Sequence, residues 1–313
     1  MKVLMVQHPH TFQQHDFPPL VMALGFFDGV HLGHRKVIET AKAAAVNSGW
    51  KSAVMTFDPH PSVVLSQENR PVEYITPLKE KADLISKLGI DYLFIVRFTS
   101  SFANLDPAQF VQQYVIDLNV RHVVAGFDFT YGKYGKGTMD TLPHHGMGIL
   151  QVTTVTKMEE GNEKISSTAI REKLREGDTE SVITFLGRYY ETKGTVIHGE
   201  KRGRQLGFPT ANIQLNEDYI IPKPGVYAVR LFVNGRWEKG VCNIGYKPTF
   251  HDPGQSHLSI EVHLLHFKRS IYGEEVTIEW RHRIRDEKKF HSLEDLKAQI
   301  AYDIVRASDF LQA

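Results

Sequence analysis

The sequence predicts an α/β chain in two parts, a parallel-sheet domain followed by a small antiparallel β-barrel with a closing helix. Three observations carry this. Strand-like runs alternate with helical patterns through the first half, which calls for parallel pairing with right-handed crossovers. In the second half, strand-like runs follow one another across turn signals with no long helix between them. The chain then ends on one amphipathic helical pattern.

In order, Pro19–Leu24 is an apolar run of strand length, and Arg35–Asn47 carries Val37, Ile38, Ala41, Ala44 and Ala45 at helical spacing. Ser52–Phe57 reads as a strand, Pro77–Leu88 as a helix, Tyr92–Val96 as a strand and Pro107–Leu118 as a helix. His122–Ala125 and Ile149–Val155 are further strands, and Thr168–Leu186 is helical with an interruption near Gly177-Asp178. The pattern then changes: Thr192–Ile197, Gly225–Val233, Lys239–Ile244, Leu258–Leu265 and Glu275–Trp280 are strand-like. Asn234-Gly235 between two of them is a strong hairpin cue. Ser292–Phe310 reads as the closing helix, with Ser292 and Asp295 suited to its cap. A boundary near residue 184 divides the chain into 1–183 and 184–313.

Bulk properties bound the function. The 313 residues suffice for two ordinary domains, and 42% apolar with 23% charged residues is a normal globular mix. A formal charge of +1 calls for neither nucleic acid nor an acidic membrane surface. Basic residues cluster locally at Lys201–Arg204 and Arg281–Arg285, as solvated faces or as phosphate contacts. Cys242 is the only cysteine and lies in an apolar run, so no intrachain disulfide forms and a buried thiol is expected. The first ten residues lack the layout of a secretory leader, and no apolar run reaches the ~20 residues a membrane helix needs. A cytoplasmic protein with small-molecule partners is expected; self-association stays open.

Gly25-Phe26-Phe27-Asp28-Gly29-Val30-His31-Leu32-Gly33-His34 sits where a strand turns into a helix. His31 and His34 would stand at the helix start, where backbone N–H groups and the dipole favour phosphate. The four-residue pattern alone also fits two solvent-facing histidines in a glycine turn; the flanking strand and helix favour the phosphate reading. Ser166-Ser167-Thr168 with Arg171 one turn on offers more hydroxyls than a helix cap uses, and suits a triphosphate. Gly126–Gly132, with Phe127, Asp128 and Phe129, mixes aromatics and glycines after a strand, suiting core packing or a flat ring system. In the second half, Gly203 and Gly207 permit a loop to close over phosphates, and Thr210 and Asn212 would point to one side of a strand, able to hold Mg²⁺ through oxygen.

His31-Leu32-Gly33-His34 and Ser166–Arg171 together resemble the signature pair of the nucleotidylyltransferases, which have a Rossmann-like sheet. With Thr56-Phe57-Asp58-Pro59-His60-Pro61 and Gly126–Gly132 they are similar to the FMN adenylyltransferase module of bacterial FAD synthetases. Pro209-Thr210-Ala211-Asn212, Gly225-Val226-Tyr227, Asn243-Ile244-Gly245, Pro248-Thr249-Phe250 and Ser259–His263 resemble riboflavin kinases. The whole chain thus looks like a member of the bacterial bifunctional riboflavin kinase/FMN adenylyltransferase family. The resemblance implies phosphorylation of riboflavin to FMN, then adenylylation to FAD, with ATP as co-substrate and Mg²⁺ at each site. It implies catalytic roles for Glu261, His31 and His34. ATP would lie near Gly25, Phe27, Asp28, Gly33, Ser167, Thr168 and Arg171 in one site, and near Gly203, Gly207, Thr210 and Asn212 in the other. Flavin would lie near Phe57, Asp128, Phe129 and Arg285. The chain departs from the family pattern where some members have asparagine for Asp128, arginine for Lys164 or proline for Asp286. A transferase with a non-flavin phosphate acceptor and a non-catalytic flavin sensor are the rival readings.

Overall fold

The computed structural model describes residues 1–66, 72–199, 202–248 and 256–312. Lys201, Thr249 and Phe250, singled out above, lie outside them. Two compact units are present, Met1–Ser167 and Thr168–Ala313.

The first unit is built on β1 (Lys2–Val6), β2 (Leu20–Leu24), α1 (Leu32–Ser48), β3 (Lys51–Asp58), α2 (Leu78–Lys87), β4 (Tyr92–Arg97), α3 (Pro107–Val111), β5 (Val120–Gly126) and β6 (Gln151–Val155). The sheet is parallel throughout, in the order β1-β4-β3-β2-β5-β6. Every residue of β2 is buried, as expected of a central parallel strand covered on both faces. Its alternate residues feed two cores: Leu20, Met22 and Leu24 face Phe94, Phe110 and Tyr114, while Val21 and Ala23 face Ile38, Ala41 and Ala45 of α1. The chain order reverses between β2 and β5, and at such a switch point the carboxyl ends of the strands are where open α/β sheets bind ligands. The loops that follow β2 and β5 are those carrying His31 and His34, and Asp128 and Phe129.

Two details differ from expectation. β1 was not anticipated; it is a short edge strand with Val3 and Met5 exposed, so its sequence lacks a buried run. The helix expected over 107–118 changes to π-type turns at Gln112–Ile116, where Asp117 N–H reaches back to Gln112 O at 2.8 Å.

The second unit starts with α4 (Ser167–Glu176, whose first residue belongs to the first unit) and α5 (Thr179–Leu186), divided at Gly177 with φ +86°. Then come β7 (Tyr190–Ile197), α6 (Arg202–Leu206), β8 (Ala211–Leu215), β9 (Gly225–Val233), β10 (Arg236–Pro248), β11 (Ser256–Leu264), β12 (Glu275–Arg285) and α7 (Leu293–Phe310). The strands close an antiparallel barrel in the order β7-β8-β11-β10-β9-β12. Ile213, Cys242, Ile244, Ile260, Val262, Ile278 and Trp280 are buried. Cys242 is among them, and burial pushes its thiol pKa far up. The β9–β10 hairpin turns on Asn234 (φ 52°) and Gly235 (φ +79°), the two positive φ values of a tight primed turn. Ser292 caps α7 by accepting Asp295 N–H at 3.0 Å.

β12 runs five residues beyond the expected strand, because Val226 and Tyr227 of β9 continue to pair with Arg285 and Arg283. Three arginines of the basic cluster have acidic partners. Arg281 meets Glu279 at 2.6 Å, Arg283 meets Asp286 at 2.8 Å and Arg285 meets Asp303 of α7 at 2.7 Å.

Candidate active sites

In the first unit, the turn between β2 and α1 is strained. Phe27 (φ 56°) and Val30 (φ 41°) are both left-handed, a conformation that costs a β-branched or bulky residue about 1–3 kcal/mol. Such strain persists only where surroundings impose it. Here Asp28, 1% exposed, accepts backbone N–H groups of Ile75 and Thr76 at 3.2 and 2.9 Å, and Ser167 Oγ donates to Asp28 O at 2.8 Å. Asp28 thus pins the turn with its carboxylate, and Ser167 bonds to the same residue's carbonyl. Gly25 is required because a Cβ would lie 2.7 Å from the Phe27 ring.

His31 is the N-cap of α1: its Nδ1 accepts His34 N–H at 3.1 Å. That bond leaves the proton of the neutral ring on Nε2. The two imidazoles stack with centroids 3.5 Å apart, and Phe27 packs edge-on to His34 at 5.3 Å. Gly33 lies against this stack; a Cβ there would sit 3.1 Å from His31 Cε1. The pair is therefore a fixed donor platform at a helix start. Thr168 and Arg171 occupy the first turns of α4, with Thr168 exposed and Arg171 half-buried.

At the end of β5, Asp128 pairs with Lys164 at 2.7 Å, and the Lys164 ammonium also lies 4.7 Å from the centre of the exposed Phe127 ring. The two departures from the family pattern thus neutralise each other. Phe129 is half-buried, with its ring 6.2 Å from that of Tyr131. Phe57 is buried edge-on against Phe98 at 6.2 Å, so most of its ring is committed to the core.

In the second unit, β8 and β10 flank β11 so that Asn212 and Asn243 both stand opposite Glu261. Thr210 Oγ1 donates to Glu261 Oε2 at 3.2 Å, and Ser259 Oγ to Oε1 at 3.3 Å. His263 Nδ1 donates to Pro209 O at 2.8 Å, which fixes the segment leading into Thr210. Gly199 makes room for the Asn212 amide, with which a Cβ would collide. The segment expected as a phosphate-cradling loop is instead a helical turn, α6. Gly207 N–H bonds back to Arg204 O at 3.2 Å and Phe208 N–H to Gly203 O at 2.8 Å, so these donors are used internally. Gly203 serves close approach: a Cβ would lie 2.5 Å from Phe208 O.

Arg285 is held by Asp303, whose side chain is 3% exposed, and it donates to Asp286 O at 2.9 Å. Gln299 adds a hydrogen bond to the same carboxylate at 2.9 Å. Its guanidinium thus anchors α7.

Sequence reasoning passed over Lys81, Ser259 and Gly199. Lys81 had a signal: it falls on the apolar stripe Leu78, Ala82, Ile85 of α2, where a lysine must be buried or bend away.

A sequence profile described as FAD synthetase matches residues 13–169, and one described as riboflavin kinase matches residues 186–311. A protein of Bacillus subtilis (strain 168) named bifunctional riboflavin kinase/FMN adenylyltransferase is 52% identical over 303 residues, 97% of this chain and 96% of its own. The chain belongs to that family. The family member from Escherichia coli (strain K12) is 35% identical over 306 residues, 96% of each chain. A crystal structure titled macrolide-efflux protein, from Streptococcus pneumoniae, superposes with a TM-score of 0.87 at 30% identity, covering 98% of this chain and 99% of that one. Family membership therefore extends over both modules. Among the described residues no helix is long and apolar enough to cross a membrane.

Proposed function

We propose that the chain makes FAD in two ATP-dependent steps, with residues 184–313 acting as riboflavin kinase and residues 1–183 as FMN adenylyltransferase. In the first step Glu261 accepts the proton of the ribityl 5′-hydroxyl as its oxygen attacks the γ-phosphorus of ATP, and ADP leaves. The hydroxyls of Thr210 and Ser259 orient the carboxylate for this. The Pro209–Asn212 stretch and Glu261 meet across paired strands, and that observation carries the reading. Gly203 lets α6 lie close beside Thr210, and Gly207 ends that turn with φ +91°.

The donor set fits Mg²⁺: a hydroxyl (Thr210) and an amide oxygen (Asn212) beside one carboxylate are hard oxygens, few enough to leave positions for phosphates and water. When bound, the ion neutralises triphosphate charge.

In the second step an FMN phosphate oxygen attacks the α-phosphorus of the second ATP, and pyrophosphate leaves. His31 Nε2–H and His34 donate to the phosphoryl oxygens as charge builds on them. Gly25, Phe27, Asp28 and Gly33 hold the two rings in place. Ser167 steadies the turn through Asp28 O, and the family resemblance adds Thr168 and Arg171 as phosphate donors. Phe127, Phe129 and Asp128 border the flavin. A cytoplasmic location suits a chain that draws on ATP twice and has one buried thiol.

Incubation with riboflavin and Mg-ATP, followed by chromatography, tests this. FMN appearing first and FAD after it is expected; binding without turnover would overturn the reading.

A further inference from the structure

The buried lysine of α2 has no part in the chemistry described so far. Lys81 is 2% exposed, and its ammonium donates to Phe26 O at 2.9 Å and approaches Thr56 Oγ1 at 3.4 Å. The Thr56 hydroxyl donates to the same Phe26 carbonyl at 2.7 Å. The ammonium also lies 3.9 Å from the centre of the Phe26 ring. That half-buried ring stands edge-on to His60 at 4.3 Å. One cation thus binds both ends of Phe26, its carbonyl and its ring.

Phe26 is the last residue before the strained Phe27, which packs on His34. A buried cation is costly, and an apolar side chain of the same length would fill the space. Its placement at this carbonyl, and at no surface ion pair, points to the turn. We propose that Lys81 is a positioning residue of the N-terminal site: by clamping Phe26 it fixes the turn that presents Phe27 and the His31–His34 pair to the nucleotide phosphates. This rests on the reading of that site as an FMN adenylyltransferase centre.

The charged and titratable groups facing Lys81 are Asp28 in the turn after β2 and Asp58 at the end of β3, with His60 and Tyr74 beyond the Phe26 ring. Burial pulls the Lys81 pKa down to about 8, against the opposing pull of the two carboxylates. The charge-assisted clamp therefore weakens as pH passes 8.

The test is Lys81→Met in the full chain, assayed for both activities. Riboflavin phosphorylation, assigned to the other unit, stays unchanged, and circular dichroism with urea unfolding serves as the folding control for the first unit. FAD formation from supplied FMN loses on the order of 10–100-fold in kcat at pH 7, since small misplacements at a reacting centre cost that much. KM for ATP moves less than about 3-fold, a split that general loosening of the fold would not give. The wild-type enzyme shows an alkaline fall in kcat for FAD formation centred near pH 8, and Lys81→Met lacks it. A variant kcat within about 3-fold of wild type, or a loss carried by KM alone, overturns the proposal. Should the variant fail to fold, the wild-type profile decides: a flat kcat from pH 7 to 9 overturns it. A wild-type chain that makes no FAD would instead sink the underlying reading.

Discussion

Thr210 and Glu261 meet through a hydroxyl–carboxylate hydrogen bond of 3.2 Å, Thr210 from the residue before β8 and Glu261 from β11. The bond holds Glu261 Oε2 against the Pro209–Asn212 stretch. Glu261→Gln accepts from one hydroxyl and donates to the other, but cannot take a proton. FMN formation should fall on the order of 10²–10⁴-fold. FAD formation from supplied FMN should be unchanged. Loss of both activities in a folded variant would refute the two-site assignment.

His31 is a helix cap and, under the proposed function, a phosphate donor, and two substitutions separate these roles. His31→Ala removes the acceptor for His34 N–H and should cost about 1 kcal/mol in urea unfolding. His31→Asn supplies a capping oxygen and should restore that stability. Both should lose on the order of 10² or more in FAD formation, because neither has a ring N–H to aim at phosphoryl oxygens. A rate recovered with the cap would mean that His31 acts only through the helix start.

Most of this was legible in the sequence, for a physical reason. Buried parallel strands and alternating barrel strands have strong periodicity, and the Asn234-Gly235 turn has its own chemistry. Motifs such as Pro209–Asn212 stay contiguous in the fold. Contacts made across strands were hidden. Nothing local reveals that Thr210 reaches the Glu261 carboxylate from 51 residues away, or that Arg285 is answered by Asp303 of α7. β1 was missed because an edge strand buries little.

Asp128 and Lys164 form an exposed pair, so breaking it should change stability by less than about 1 kcal/mol. Its effect should appear in binding. Lys164→Ala leaves the Asp128 charge uncompensated beside the site, and KM for FMN or ATP should rise by about 3–10-fold through like-charge repulsion. Asp128→Asn in the same chain should recover most of it. Steady-state kinetics of the two single variants and the double variant give the coupling; additive effects would deny a shared electrostatic role.

Arg285→Ala strands the buried Asp303 carboxylate with Gln299 as its remaining side-chain partner. Removing one member of a buried pair costs about 3–5 kcal/mol, so thermal unfolding of the C-terminal unit should come several degrees earlier. Adding Asp303→Asn should restore much of the loss. Riboflavin affinity measured in that double variant then isolates direct contact. Wild-type affinity there would leave Arg285 with an anchoring role alone.

Lys81 also predicts an opposition between stability and activity. Its folded pKa, about 8, lies below the 10.5 of an unfolded lysine. Below pH 8 both states are protonated and the cost of burying the charge is fully present. Between pH 8 and 10.5 the unfolded chain holds more protons, so stability rises with pH; above 10.5 the cost is gone. Lys81→Met removes the charge and leaves the Phe26 carbonyl with the Thr56 hydroxyl, so no buried acceptor is orphaned. The variant should be more stable than wild type at pH 7, by on the order of 1–3 kcal/mol, and the gap should close by pH 10.5. Comparing the two chains at each pH cancels the titration of other groups. A variant less stable than wild type at pH 7, or a gap that does not change with pH, would show that Lys81 is held uncharged or contributes through packing. With the expected result, the cation destabilises the fold at neutral pH and is retained for the turn that it fixes beneath His31 and His34.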